Sequence, residues 1–249
     1  MNALVEVFII SLLSGLATGI GGLIAIIKKP GKKSFGFLMG LTAGVMLTLA
    51  FLELVNEALL LSNYLITTIG FGLGALFMFL VEYFIPHECL PFNGKEHNYH
   101  PKLFKTGILA AIGITIHNIP EGIAVGAGYM HVPKFGIFIA IAIALHNIPE
   151  GIVTVLPLCK SGVSKSKAVG IALLSGLVEP IGAMIAALFL VPFDSLLPYA
   201  LAFAAGVMVF ITLDEIVPIA REFGQKHFTA IGTIIGSIFV FILSGFFGI

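Results

Sequence analysis

Apolar residues in this chain come in long unbroken blocks, separated by short polar stretches. Eight such blocks are read at 3–27, 34–58, 65–86, 103–129, 134–158, 167–191, 196–220 and 228–249. A helix of about 20 apolar residues crosses a hydrocarbon core about 30 Å thick, whereas a spanning strand needs only about 10. The block length therefore predicts an all-α membrane protein with eight transmembrane helices, forming a single transmembrane domain over 1–249. The connections are short except one, at 86–104, which holds His87, Glu88, Cys89, His97 and His100.

Composition agrees with the pattern. Apolar residues make up 58% of the chain, charged residues 10%, and the mean hydropathy is +1.10. A soluble domain carries about 25% charged residues, so a water-facing surface is excluded. Zero net charge argues against nucleic acid as a partner; the bilayer is the expected one. The first block lacks the basic start and cleavage site of a signal peptide and is expected to remain as a span. Two cysteines, Cys89 and Cys159, imply neither a disulfide framework nor a thiolate metal site.

Charge placement sets the expected orientation. Twelve of the thirteen Lys and Arg residues fall on one side of the alternating spans (Lys28, Lys33, Lys105, Lys160 and Arg221 among them), and only Lys134 falls on the other. The positive-inside rule makes the crowded side cytoplasmic. Both termini then face outward from a cell (inner) membrane, and the histidine-bearing loop faces the cytoplasm. The sequence leaves the oligomeric state open, with a homodimer compatible.

The chain also repeats. Ser14-Gly15-Leu16, Ile20-Gly21 and Ile24-Ala25 recur as Ser175-Gly176-Leu177, Ile181-Gly182 and Ile185-Ala186. Gly44-Val45-Met46 recurs as Gly206-Val207-Met208, which sets Glu53 against Glu215, and Ile69-Gly70 recurs as Ile231-Gly232. The offset is 161 or 162 residues, so spans one to three match spans six to eight. Five spans separate partners, an odd number, so the two copies run in opposite senses, the inverted repeat common among transporters. Spans four and five match each other as a pseudo-symmetric pair, through His117-Asn118-Ile119-Pro120-Glu121-Gly122 and His146-Asn147-Ile148-Pro149-Glu150-Gly151.

Ionisable residues inside the blocks carry the chemistry. Glu53, His117, Glu121, His146, Glu150, Glu179, Asp214 and Glu215 all lie within apolar runs. A charge at the bilayer centre costs about 3 kcal/mol on insertion scales, so such residues mark function. They are carboxylates and imidazoles with no Lys or Arg among them, and a metal ion supplies the missing positive charge. Four-residue spacing puts His117 and Glu121 on one helix face, and His146 and Glu150 likewise. Asn118 and Asn147 lie about 100° further round and present an adjacent site. Pro120 and Pro149 each remove a backbone donor and free a carbonyl one turn earlier. Nitrogen and oxygen donors of this kind suit Zn(II), Fe(II), Mn(II), Co(II) or Cd(II). Glu179, before Pro180, stands where the first repeat has Thr18, an asymmetry that suggests placement for binding. Glu53 is read as an outer pathway group, Asp214 and Glu215 as inner ones, and His87, His97 and His100 as a loop that captures or hands over metal.

The paired His-Asn-Ile-Pro-Glu-Gly segments followed by Glu179-Pro180 resemble the ZIP (ZRT/IRT-like) family of metal transporters, most nearly its bacterial ZupT-type members. The resemblance covers essentially the whole chain. It implies a binuclear site halfway along the pathway, with His117, Glu121 and Glu150 forming the main site. Asn118, Asn147 and Glu179 would form the second, bridged by Glu150, while the position of His146 is not always a ligand in the family. It also implies transport of zinc, as substrate rather than cofactor, toward the cytoplasm, and movement of a four-helix unit made of spans one, four, five and six. Two other readings compete. An intramembrane zinc metalloenzyme would call for His-Glu-x-x-His with the Glu as general base, which this order does not provide. A channel or proton-coupled carrier of another solute would use the same acids, and the sequence does not separate channel from carrier.

Overall fold

The computed structural model describes residues 2–84, 101–190 and 194–249, all of them helical or in short connections. The first span is α1 (Ala3–Ile27), opened by Asn2, whose side chain accepts from the Leu4 amide at 3.2 Å. The second is α2 (Lys32–Thr48) and α3 (Val55–Leu61), joined by a π-helical turn at Leu49–Leu54. The third is α4 (Tyr64–Phe84), capped by Asn63. The fourth and fifth are α5 (Pro101–His131) and α6 (Pro133–Lys160), which continue through Pro120 and Pro149. The sixth is α7 (Lys165–Gly176) and α8 (Glu179–Ile185), extended by a π turn at Ala186–Leu190. The seventh is α9 (Leu197–Ile211) and α10 (Val217–Phe223) around a π turn at Thr212–Ile216; the eighth is α11 (Lys226–Phe247).

Among the described residues, seven helical stretches are long and apolar enough to cross a bilayer, and α5, with 31 residues, is the remaining long helix. The chain is a multi-pass membrane protein. Its outermost helices show why: only 22% of the apolar window of α4 and 17% of that of α11 is buried inside the protein, against 72% for α6. Leu, Ile and Phe cover those outward faces, and only lipid accommodates so much exposed hydrocarbon.

The expected continuous sixth span is interrupted. Pro180 has no amide hydrogen, so the helix cannot close its bond back to the Gly176 carbonyl. The chain makes a turn at 177–178, where the Ile181 amide donates to the Val178 carbonyl at 2.9 Å, and α8 restarts at Glu179.

The internal repeat is visible in the packing. Gly74 presses against the Phe203 carbonyl and Gly236 against that of Leu41, so closely that a Cβ at either glycine would collide; adding 162 to the first pair's α4 residue and subtracting 162 from its partner gives the second. Gly44 against Thr233 and Gly206 against Phe71 obey the same exchange, as do Gly21 against Ile148 and Gly182 against Ile119 once spans four and five are swapped. Even the π turns of the second and seventh spans coincide under the shift. A pseudo-two-fold relation therefore organises the molecule.

Two groups of four spans each result. Helices α1, α5, α6, α7 and α8 pack on one another, while α2 packs on α11 and α4 on α9. The groups meet where α5 touches α9 and α6 touches α2. Phe135, Phe138, Ile139 and Ile143 of α6 join Met46, Leu49 and Leu54 of the second span in the largest apolar core, at one end of that seam. Phe138 meets Phe247 of α11 there edge to face, ring centroids 6.3 Å apart.

Candidate metal centre

Spans four and five carry the duplicated motif on facing surfaces at the middle of the first group. His117 reaches from α5 to Glu150 of α6, Nε2 to Oε2, at 3.3 Å; His146 reaches back from α6 to Glu121 of α5, Nε2 to Oε1, at 3.0 Å. The two contacts exchange under the 29-residue shift, so the centre straddles the pseudo-two-fold. Ligand atoms of His117, Glu121 and Glu150 lie within 4.8 Å of one another, a spread that a single ion with bonds near 2.0–2.2 Å draws together by small side-chain movements.

The asparagines face the other way, toward the crossing of α1 with α7 and α8. The Asn118 side-chain amide donates to the Ser175 carbonyl at 2.9 Å, and that of Asn147 to the Ser14 carbonyl at 3.2 Å, again a symmetric pair. Asn147 makes one contact that its counterpart does not, donating to Glu179 Oε2 at 2.9 Å. Small residues allow the approach. A Cβ at Gly122 would collide with the Glu179 carbonyl, and one at Gly151 with that of Thr18. The repeated Ser-Gly pairs of spans one and six, read in the sequence as fold markers only, thus supply the carbonyls that orient both asparagines.

All seven of these side chains are buried; Glu150, at 1%, is the only one with measurable exposure. Each keeps an atom without a hydrogen-bond partner: Nδ1 of both histidines, Oδ1 of both asparagines, and one oxygen each of Glu121, Glu150 and Glu179. An unsatisfied buried polar atom costs about 1–3 kcal/mol, so such a gathering of acceptors calls for a cation or water. Three carboxylates without a Lys or Arg beside them favour the cation, because it also offsets their mutual repulsion. Imidazole and carboxylate donors match a borderline divalent ion.

The remaining candidates lie apart. Glu53 is buried in the π turn of the second span, outside the cluster. Asp214 is exposed and Glu215 half-buried in the matching turn of the seventh span. His87, His97 and His100 fall outside the described residues. One contact was not anticipated: His131 at the end of α5 pairs with Glu57 of α3 at 2.8 Å, tying the two groups together at the rim. Nothing in residue spacing marks that pair, since the two lie far apart in sequence.

Comparison with known proteins fits this geometry. The profile of the ZIP zinc transporter family matches residues 93–247. Relatives named zinc transporter ZupT include one from Oceanobacillus iheyensis, 40% identical over 95% of this chain and 96% of its own length. Those from Corynebacterium aurimucosum and Corynebacterium glutamicum are 39% identical over 92% of each chain, and 40% identical over 95% of this chain and 97% of the relative, respectively. With a buried nitrogen and oxygen cage in an all-helical membrane fold and these likenesses along nearly its whole length, the chain belongs to the ZIP zinc transporter family, a family of transporters and not of enzymes.

Proposed function

We propose that the protein carries divalent metal ions, zinc foremost, into the cytoplasm through a binuclear site at mid-depth. His117, Glu121 and Glu150 hold the first ion, with His146 orienting Glu121. Asn118, Asn147 and Glu179 hold the second, and Glu150 bridges the two. The observation that carries this reading is the set of buried carboxylate, imidazole and amide acceptors left without partners in one cage. The relatives' printed name supports zinc as cargo. The donor set also admits Cd(II), Fe(II), Mn(II) and Co(II), whose ranking depends on geometry as well as affinity.

Glu53 serves the outer half of the route, Asp214 and Glu215 the inner half, with His87, His97 and His100 receiving the ion in the cytoplasm. That direction rests on the Lys and Arg bias, which sets both termini outside the cell membrane. Zinc uptake into proteoliposomes tests the reading. Saturable uptake, reduced to background by Glu150→Ala with the protein still folded, is the expected result. Uptake that Glu150→Ala leaves intact would remove the bridging role, and uptake linear in zinc would replace a carrier by a channel.

A further inference from the structure

The repeat that generates the cage also breaks its symmetry at one place, where Glu179 of span six corresponds to Thr18 of span one. We propose that the Thr18 hydroxyl is a further, uncharged oxygen ligand of the second metal position, facing Glu179 across the pseudo-two-fold and biasing that position toward hard divalent ions. The proposal rests on the binuclear reading above and adds a residue to it.

Three observations support the assignment. Its carbonyl lies against Gly151 as the Glu179 carbonyl lies against Gly122, so the two residues sit at equivalent points on opposite sides of the helix pair. Both side chains turn into the crossing of α1 and α7. The Glu179 Cβ is 3.5 Å from where a Cβ on Gly15 would stand, and Thr18 Oγ1 is 2.9 Å from where one on Gly176 would stand. Asn118 and Asn147 enter the same crossing from the other side, on the carbonyls of Ser175 and Ser14.

The hydroxyl itself is out of the ordinary. A helix threonine usually bonds back to the carbonyl four residues earlier. Thr42, Thr115, Thr154, Thr212, Thr229 and Thr233 all do so. For Thr18 that carbonyl belongs to Ser14 and is engaged by the Asn147 amide instead. Thr18 Oγ1 is fully buried and has no partner. Thr67 shares the lack of a partner but sits on α4, in the other helix group.

The chemistry follows from the donors. The second position collects Asn118 Oδ1, Asn147 Oδ1, Glu179 Oε1 and the bridging Glu150, all oxygen, whereas the first has imidazole nitrogen. A hydroxyl adds a fifth oxygen without adding charge. Oxygen-only shells favour harder ions such as Mn(II), and nitrogen favours zinc. Thr18 thereby sets how far the second position accepts Mn(II) relative to zinc.

The test compares the intact protein with Thr18→Val, which keeps shape and removes the hydroxyl, and with Thr18→Ser, which keeps the hydroxyl. Glu150→Ala is the control. Mn(II) and Zn(II) binding to the purified full chain is measured by equilibrium dialysis, with thermal unfolding alongside. Thr18→Val should weaken Mn(II) binding by about tenfold and leave the tighter zinc step unchanged, and Thr18→Ser should stay within about twofold of the intact protein. If Thr18→Val binds both metals normally while Glu150→Ala does not, Thr18 is no ligand and the binuclear reading survives. If the intact protein takes up only one ion per chain, the second position does not exist and the proposal falls with it. Equal loss in the Val and Ser variants would assign Thr18 to helix packing and overturn the proposal.

Discussion

Asn118 and Asn147 are chemically identical and structurally paired, yet they stand in different fields. Asn147 is hydrogen-bonded to a carboxylate, Glu179, and Asn118 is not. Asn147→Asp would set a fourth acid beside Glu121, Glu150 and Glu179, where like charges repel until an ion binds. The expected outcome is zinc binding about tenfold tighter with slower turnover, seen as a fall in both KM and kcat for uptake. Asn118→Ala removes the donor to the buried Ser175 carbonyl and should lower stability by about 1 kcal/mol or more, measured by thermal unfolding in detergent. The residues of the buried polar cluster were legible in the sequence, because acids and imidazoles are rare in apolar runs and their spacing of four selects one helix face. Their partners across the cage were not. Which carbonyl an asparagine meets depends on helices distant in sequence, 57 residues away for Asn118 and Ser175 and 133 for Asn147 and Ser14.

At the level of elements, close helix contact is set by glycine and broken by proline. Gly122→Ala would drive its methyl into the Glu179 backbone, so α8 must shift and carry its acid out of position. Such overpacking typically costs about 1–3 kcal/mol, and zinc uptake should fall along with thermal stability. Gly170→Ala supplies the contrast. Nothing lies within 4 Å of its added methyl, and a helical alanine is favoured over glycine by about 0.5–1 kcal/mol, so stability should hold or rise. The π turns at Leu49–Leu54 and Thr212–Ile216 were not readable as a pattern, since the flanking residues suit an ordinary helix. Each inserts a register shift at the level of Glu53, or of Asp214 and Glu215, and π turns are frequent at functional sites.

For the whole molecule, the seam between the two helix groups is where movement would show. Cysteines at Phe138 and Phe247, whose rings touch across that seam, joined by a short bifunctional maleimide should stop uptake if the groups move against each other. Full uptake by the joined protein would rule out such movement at that point. Orientation is tested separately, in a background where Cys89 and Cys159 are serine. A cysteine at Lys134 should react with an impermeant maleimide added outside intact cells, and one at Lys165 should not. The reverse pattern would invert the topology and with it the proposed direction of transport.

Residue order alone carries the eight apolar membrane-crossing blocks, the repeat that relates them, and the acids and imidazoles within those blocks that are proposed to bind metal. These follow from transfer energies and local periodicity, which depend on residue type and near neighbours alone. Tertiary structure decided the rest. It put His117 on Glu150 and His146 on Glu121, turned both asparagines toward the carbonyls of the repeated Ser-Gly pairs, broke the sixth span ahead of Glu179, and left the buried Thr18 hydroxyl without a partner. Those outcomes arise where helices distant in sequence come close enough to exchange hydrogen bonds. The packing of small residues sets that distance, and no spacing along one helix contains it.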